Sequence, residues 1–288
     1  MTSKPPASSK PPAKPADPLA VLTPKKLGVR VGIPLAVIWV VAFAVQRQWA
    51  LMAAGGITLV AVVLVAWGIR FANKTRAVAS LVQGASTPAA RKEALAKLET
   101  EYKKSDTAAI FAKAQLLMGE DPRKALAALE QIDLKKVMAP IADEARAQRA
   151  MIHLVLGEAD AARLLVDPIE LSRHQQAKTR ATIASVVAEA WARTGQGKKA
   201  LDTLGLFKID DADYEDLRPQ LWRSYAFAYA ATNDIKGVRR ALRKLLDINP
   251  QLLGGFLMKR VHPLLEREAK EALRRSNAVP KKMIVKRM

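Results

Sequence analysis

The stretch TGQGKKAL, residues 194–201, holds the residue types of a phosphate-cradling loop. Such a loop needs G-x-x-x-x-G-K-[ST]: glycine amides wrap the phosphates, lysine reaches them, and a hydroxyl meets magnesium. Here Ala192 stands five positions before Gly197, and Lys198 is followed by Lys199, which has no hydroxyl. The preceding TIASVVAEAWAR reads as a helix, where the motif wants a strand. The phosphate loop fails on three counts, and its glycines need another reason. Three histidines could ligate a metal, but His153, His174 and His262 lie on different elements without i, i+4 spacing, so no zinc pattern forms. His153 is expected as a packed core residue, and His262, before Pro263, as a helix-start residue. The acidic run IDDADYED, residues 209–216, lacks the glycine of a calcium loop and is expected to be a solvated connector with an N-capping aspartate. No serine, lysine or carboxylate pair has a partner at catalytic spacing. With no cysteine, disulfides, thiolate metal sites and cysteine nucleophiles are excluded. The expectation is a chain with no enzymatic activity, no cofactor and no metal.

The elements that would position these residues are helical. The 288 residues allow two domains or one elongated array. Aromatics make up only 5%, and alanine and leucine dominate, which favours helix over sheet. Residues 1–26 form a Pro/Lys-rich tail that cannot bury enough apolar surface to fold. Two apolar runs follow, LGVRVGIPLAVIWVVAFAV (27–45) and WALMAAGGITLVAVVLVAWGI (49–69), uncharged from Val31 to Gln46 and from Gln48 to Ile69, with Gln46-Arg47-Gln48 between them. They are expected to make a transmembrane hairpin over 27–70, with Trp49 and Trp67 near opposite ends of the second helix. A turn at Gly55-Gly56 would instead put Arg47 at membrane depth. Basic residues flank both outer ends (Lys25, Lys26, Arg30; Arg70, Lys74, Arg76), so both termini are expected in the cytoplasm. A secretory signal cleaved at Ala42-Phe43-Ala44 is the rival reading; the second helix would still anchor the chain.

Beyond a connector with degenerate leading helices (71–104), the sequence is periodic. Gly119, Gly157, Gly195 and Asn233 follow one another at intervals of 38 residues. Such a period signals stacked supersecondary units. Glycine and asparagine enter left-handed backbone cheaply, so each is expected to mark the turn between two antiparallel helices. In LWRSYAFAYAATNDIKGVRRALRKLLDINP, residues 221–250, Trp222, Tyr225-Ala226 and Tyr229 take the first-helix spacing of a tetratricopeptide repeat (TPR). Val238, Leu242, Leu245 and Pro250 take that of the second helix. The chain here resembles that family. The third unit matches at Ala188, Trp191, Ala200 and Leu204, the second at Ala150, Ala162 and Val166, and the first at Ala112, with Ala125 and Leu129 one residue late. The resemblance implies an all-α fold, a TPR-like α-solenoid over 105–252 with extended connectors, a capping helix within 253–276 and a basic tail at 277–288. The hairpin-then-repeat layout is similar in architecture to HemY-type bacterial membrane proteins, which implies a bacterial inner-membrane location.

The resemblance also implies a concave groove lined by the first helices, at Ala109, Lys113, Ala147, Met151, Ser185, Glu189, Arg223 and Phe227. Members that grip a C-terminal carboxylate line this face with Lys, Asn and Arg; here only Lys113 and Arg223 are basic. A mixed groove suits an amphipathic helix better. A second surface is basic: Lys236, Arg239, Arg240, Arg243 and Lys244 recur along one helix face. Of the net charge of +20, the segments 1–30 and 274–288 hold +11. These tails either set topology or meet anionic lipid or nucleic acid. They carry no aromatics for base stacking, which disfavours nucleic acid. The reading is a membrane-tethered, non-enzymatic scaffold that binds a partner protein in the groove at the cytoplasmic face. The alternative is a polyanion-binding module acting through the basic tails and the helix at 236–244.

Overall fold

A computed structural model of the chain describes residues 48–103, 105–258 and 261–276. Both tails, the expected first span at 27–45 and the Gln46-Arg47 turn lie outside these residues. The described part is all-helical and divides into two units, 1–80 and 81–288. In the first, helix α1 (Gln48–Gly84, ending in the second unit) runs without a break through Gly55-Gly56. Among the described residues no helix is long and apolar enough to cross a membrane. Side chains at 49–54, 64 and 67–69, within the expected second span, lie outside that description. Among those that are described, Ile57, Leu59, Val60, Val62 and Val63 are 50–67% exposed, and Thr58, Ala61 and Val65 are half-buried.

The second unit begins with α2 (Pro88–Glu101), capped by Thr87, whose Oγ1 accepts from Ala90 N at 3.2 Å. Four helix pairs follow: α3 (Thr107–Met118) with α4 (Pro122–Leu129), α5 (Ala139–Leu156) with α6 (Ala159–Val166), α7 (Ala177–Arg193) with α8 (Gly197–Leu204), and α9 (Arg218–Ala231) with α10 (Ile235–Ile248). A 3-10 segment (Pro250–Leu257) leads into α11 (Pro263–Arg275), which starts at the expected proline behind an N-capping His262. Second helices begin at 122, 159, 197 and 235, and first helices at 107, 139, 177 and 218. The period is thus held at the tight turns, while the connectors 130–138, 167–176 and 205–217 absorb the variation.

Packing repeats with the sequence. Ala112, Ala150, Ala188 and Ala226 are all buried on successive first helices. Ala125, Ala162, Ala200 and Val238 are fully buried on the second helices, and one turn later so are Leu129, Val166, Leu204 and Leu242. Small residues in the first two columns let backbones approach; the third column fills the space between. Each second helix packs on the next first helix (α4 on α5, α6 on α7, α8 on α9, α10 on α11), and α5, α7 and α9 also touch in sequence.

The glycines divide by task. Gly157 (φ +80°), Gly195 (φ +85°) and Asn233 (φ +56°) take the left-handed backbone expected of them. Gly119 does not: at φ −76° it continues right-handed, because its N–H closes on Leu117 O and Asp121 caps α4 by accepting from Arg123 N and Lys124 N. Gly197 serves packing. A Cβ there would lie 2.8 Å from Thr232 Cγ2 and 2.9 Å from Ala231 Cβ on α9. Lys199 lies over the Trp191 ring, Nζ 3.7 Å from its centre, so the turn stretch is absorbed by the fold. Alanine substitution should grade accordingly. Gly197→Ala is expected to destabilise by about 1–3 kcal/mol through overpacking, and Gly195→Ala by about 1–2 kcal/mol through backbone strain. Gly119→Ala should be near neutral. Thermal melts of the helical signal check the order; a Gly119 variant as damaging as Gly197→Ala would refute it.

Candidate binding groove

The first helices leave a trough between them. Its wider part, about 610 Å3, is lined by Gln115 and Met118 of α3, Glu144, Gln148 and Met151 of α5, Thr182 and Val186 of α7, and Gln220 of α9, among others. A further hollow of about 310 Å3 shares Met118, Met151, Val186 and Gln220 and extends to Val155, Glu189 and Arg223. The shared residues make the two one continuous groove. Its apolar lining rests on Met118, Met151 and Val186, with Met151 37% exposed. Thioether side chains adapt to different surfaces because they are unbranched and polarizable.

Polar contacts hold the α7–α9 floor in place. Ser185 Oγ donates to Thr182 O at 2.7 Å, Gln220 Nε2 donates to Ser185 Oγ at 2.6 Å, and Ser224 Oγ donates to Ser185 O at 2.8 Å. Ser185 and Ser224 are buried, so these bonds satisfy groups that water cannot reach. Beyond them Glu189, also buried, accepts from Arg223 Nε and Nη2, both at 3.0 Å. The Glu189 charge raises the Arg223 guanidinium above its ordinary value. Arg193 donates through Nη1 to Leu154 O at 2.5 Å, and its guanidinium carbon sits 4.4 Å from the Phe227 ring centre. Burial lowers Arg193, with Glu189 opposing.

Glu144 differs from Glu189. Its one side-chain bond is accepted from Gln148 Nε2 at 3.4 Å, and no cation pairs with it among the described residues. Burial pushes its carboxyl above the ordinary range. The cations near it on α5 are engaged elsewhere. Arg146 Nη1 donates to Asp143 Oδ1 at 2.9 Å, and Arg149 Nη2 donates to Leu129 O at 2.6 Å and Ile132 O at 2.8 Å.

Of the expected groove residues, Ala147, Met151, Ser185, Glu189 and Arg223 line this groove. Ala109 and Lys113 line a separate hollow against α2, where Lys113 Nζ donates to Glu99 Oε1 at 2.6 Å. Phe227 is buried, its ring centre 5.4 Å from that of Phe256. Sequence reasoning missed Gln115, Met118, Glu144, Gln148, Thr182, Val186 and Gln220. On α5 the signal was a stripe running one turn further back, 144, 148, 151 and 155, at i, i+4, i+7 and i+11.

On the basic face of α10, Arg239 is taken: its Nε donates to buried Glu268 Oε2 at 2.6 Å, and that bond holds Glu268 below the usual carboxylate range. Lys236, Arg240, Arg243 and Lys244 are exposed and form no ion pair among the described residues. His153 is half-buried, with Nδ1 2.7 Å from Glu158 Oε2 at the start of α6. His174 is buried, and burial keeps it below the usual imidazole value; its Nε2 lies 4.0 Å from Asp143 Oδ2, which accepts from Arg173 Nη1 at 3.1 Å. The acidic run enters a 3-10 turn at Ala212, capped by Asp211 accepting from Asp213 N at 3.2 Å; its acids are exposed, while Ile209 and Tyr214 pack on the core. Among the described residues no group of His, Asp and Glu is placed to hold a metal ion. No protein-family model, no curated protein and no solved structure matches the chain.

The Glu144 shift sets a pH signature. A raised carboxyl binds its proton more tightly in the folded than in the unfolded chain. Stability is therefore full below the ordinary value of 4.5 and falls as pH rises through the higher folded value. Glu144→Gln is expected to melt above the parent at pH 7 and together with it near about pH 4. A variant that melts below the parent at pH 7 would show that the charge is stabilised by the fold.

Proposed function

We propose that the protein is a membrane-tethered, non-enzymatic scaffold whose TPR-like α-solenoid binds a partner protein, presented as an amphipathic helix, in the groove along α3, α5, α7 and α9. The observation that carries this is the continuous methionine-lined trough, apolar at Met118, Met151 and Val186 and polar at Gln115, Gln148 and Gln220. A helix of about 10–12 Å diameter lays one apolar face into such a surface. The solenoid reading is supported by buried columns that recur with the turns. Anchorage is supported by the uncharged run 48–69 and by the exposed apolar side chains of α1. A helix exposing Leu59, Val60, Val62 and Val63 together is unfavourable in water and at home in lipid. The tether puts the groove at the cytoplasmic face of a bacterial inner membrane.

A second reading is favoured by one observation, the four exposed cations of α10 that form no ion pair among the described residues. Held beside a bilayer, they would act as a polyanion-binding face for anionic lipid, with nucleic acid less suited. Its mark is retention that falls steeply with salt, whereas partner binding in an apolar groove resists a salt wash.

A photo-crosslinking side chain placed at Met151, in the groove, and at Leu164, exposed on α6, separates these readings in the full chain within its native membranes. The scaffold predicts one discrete protein adduct from position 151 and none from 164, unchanged by high salt. Equal adducts from both positions, or adducts from neither, would overturn it.

A further inference from the structure

The proposed function leaves open what kind of helix the groove accepts, and Glu144 bears on that. The inference rests on the groove reading given above. Along the whole trough, charge is arranged unequally. At the far end Glu189 accepts from Arg223 in a bidentate pair and lies 3.7 Å from Arg193 Nε, so both guanidiniums there are already paired with one carboxylate. Arg146 is turned away to Asp143, and Arg149 to the carbonyls of Leu129, at the end of α4, and of Ile132 in the connector after it. What remains is one carboxyl, Glu144, beside Gln148, Met118 and Met151, within an otherwise uncharged wall.

We infer that the groove selects an amphipathic helix carrying a lysine or arginine within its apolar stripe, and that Glu144 receives that cation. The neighbouring glutamines, Gln115, Gln148 and Gln220, offer neutral donors and acceptors on the same wall. At the Glu144 part of the wall, which has no Lys or Arg in its lining, an acidic helix or a free C-terminal carboxylate would set two like charges together in a partly desolvated site, which is unfavourable. A cationic helix replaces the missing counter-charge and forms a charge-assisted hydrogen bond. The raised carboxyl of Glu144 agrees with an acid held ready for a partner it lacks in the free chain.

The test uses the full chain in nanodiscs of uncharged zwitterionic lipid, with signal from empty discs subtracted. Two labelled peptides share one leucine and methionine face and differ only by lysine or glutamate inside that stripe. The lysine peptide is expected to bind about tenfold more tightly than the glutamate peptide. In Glu144→Gln that preference should shrink to within about twofold while binding itself persists. If both peptides bind and the preference is absent, or survives unchanged in Glu144→Gln, the role of Glu144 is overturned and the groove stands. If neither peptide binds, or if binding is unchanged in Met151→Asp, the groove reading fails and this inference with it.

Discussion

Close approach of helices at small residues is the constraint on which the second unit depends. Alanine recurs at 112, 150, 188 and 226 because the first helices meet their neighbours there, and all four are buried. Gly197 and Gly237 extend the rule to the second helices. At Gly237 any Cβ would collide with the Tyr229 ring, and at Gly197 with Ala231 and Thr232. Larger residues at these points would push the pairs apart, and the leucines and valines one turn away would lose their contacts. The stack therefore owes its spacing to what these positions lack.

Spacing alone does not fix which pair sits on which. That task falls to buried charges that bridge elements. Glu189 on α7 takes Arg223 of α9, Glu268 on α11 takes Arg239 of α10, and Asp143 on α5 takes Arg173 from the turn after α6. Arg193 of α7 reaches back to the last carbonyls of α5, and Arg149 of α5 does the same to α4. Pairs of this kind add little net stability over apolar packing, yet a shifted register would leave each of them buried and unpaired, which is strongly unfavourable. Alanine columns permit several sliding registers; the arginine and carboxylate pairs leave one.

The sequence made the turns and the buried columns legible because both depend on local residue type. A glycine or asparagine at a helix end, and an alanine seven residues before it, mean the same thing in three of the four pairs. Where the local argument failed, something distant had intervened. Gly119 was expected in left-handed geometry and stays right-handed, since Asp121 and Pro122 start α4 at once. Arg239 looked free on its own helix and is paired by Glu268, twenty-nine residues onward on α11. The apolar run at 49–69 was legible, and its backbone is helical within α1, while the environment of its side chains is a matter for the proposal above.

The groove shows why periodicity finds a face and not a site. Lys113, Met151, Glu189 and Phe227 occupy one register position, 38 residues apart. Their fates differ because different elements lie over them. Lys113 meets Glu99 from α2, Glu189 meets Arg223, and Phe227 is sealed by Phe256 of the 3-10 segment. Met151 stays 37% exposed in the groove lining. Leading helix α2 and the 3-10 segment before α11 thus close the two ends of a repeating surface and leave its middle accessible. Had the end units been as bare as the middle, the same four positions would form a continuous stripe without a defined length. Closure at both ends gives the groove a finite extent, and within it Glu144 is the carboxylate that no cation pairs with among the described residues.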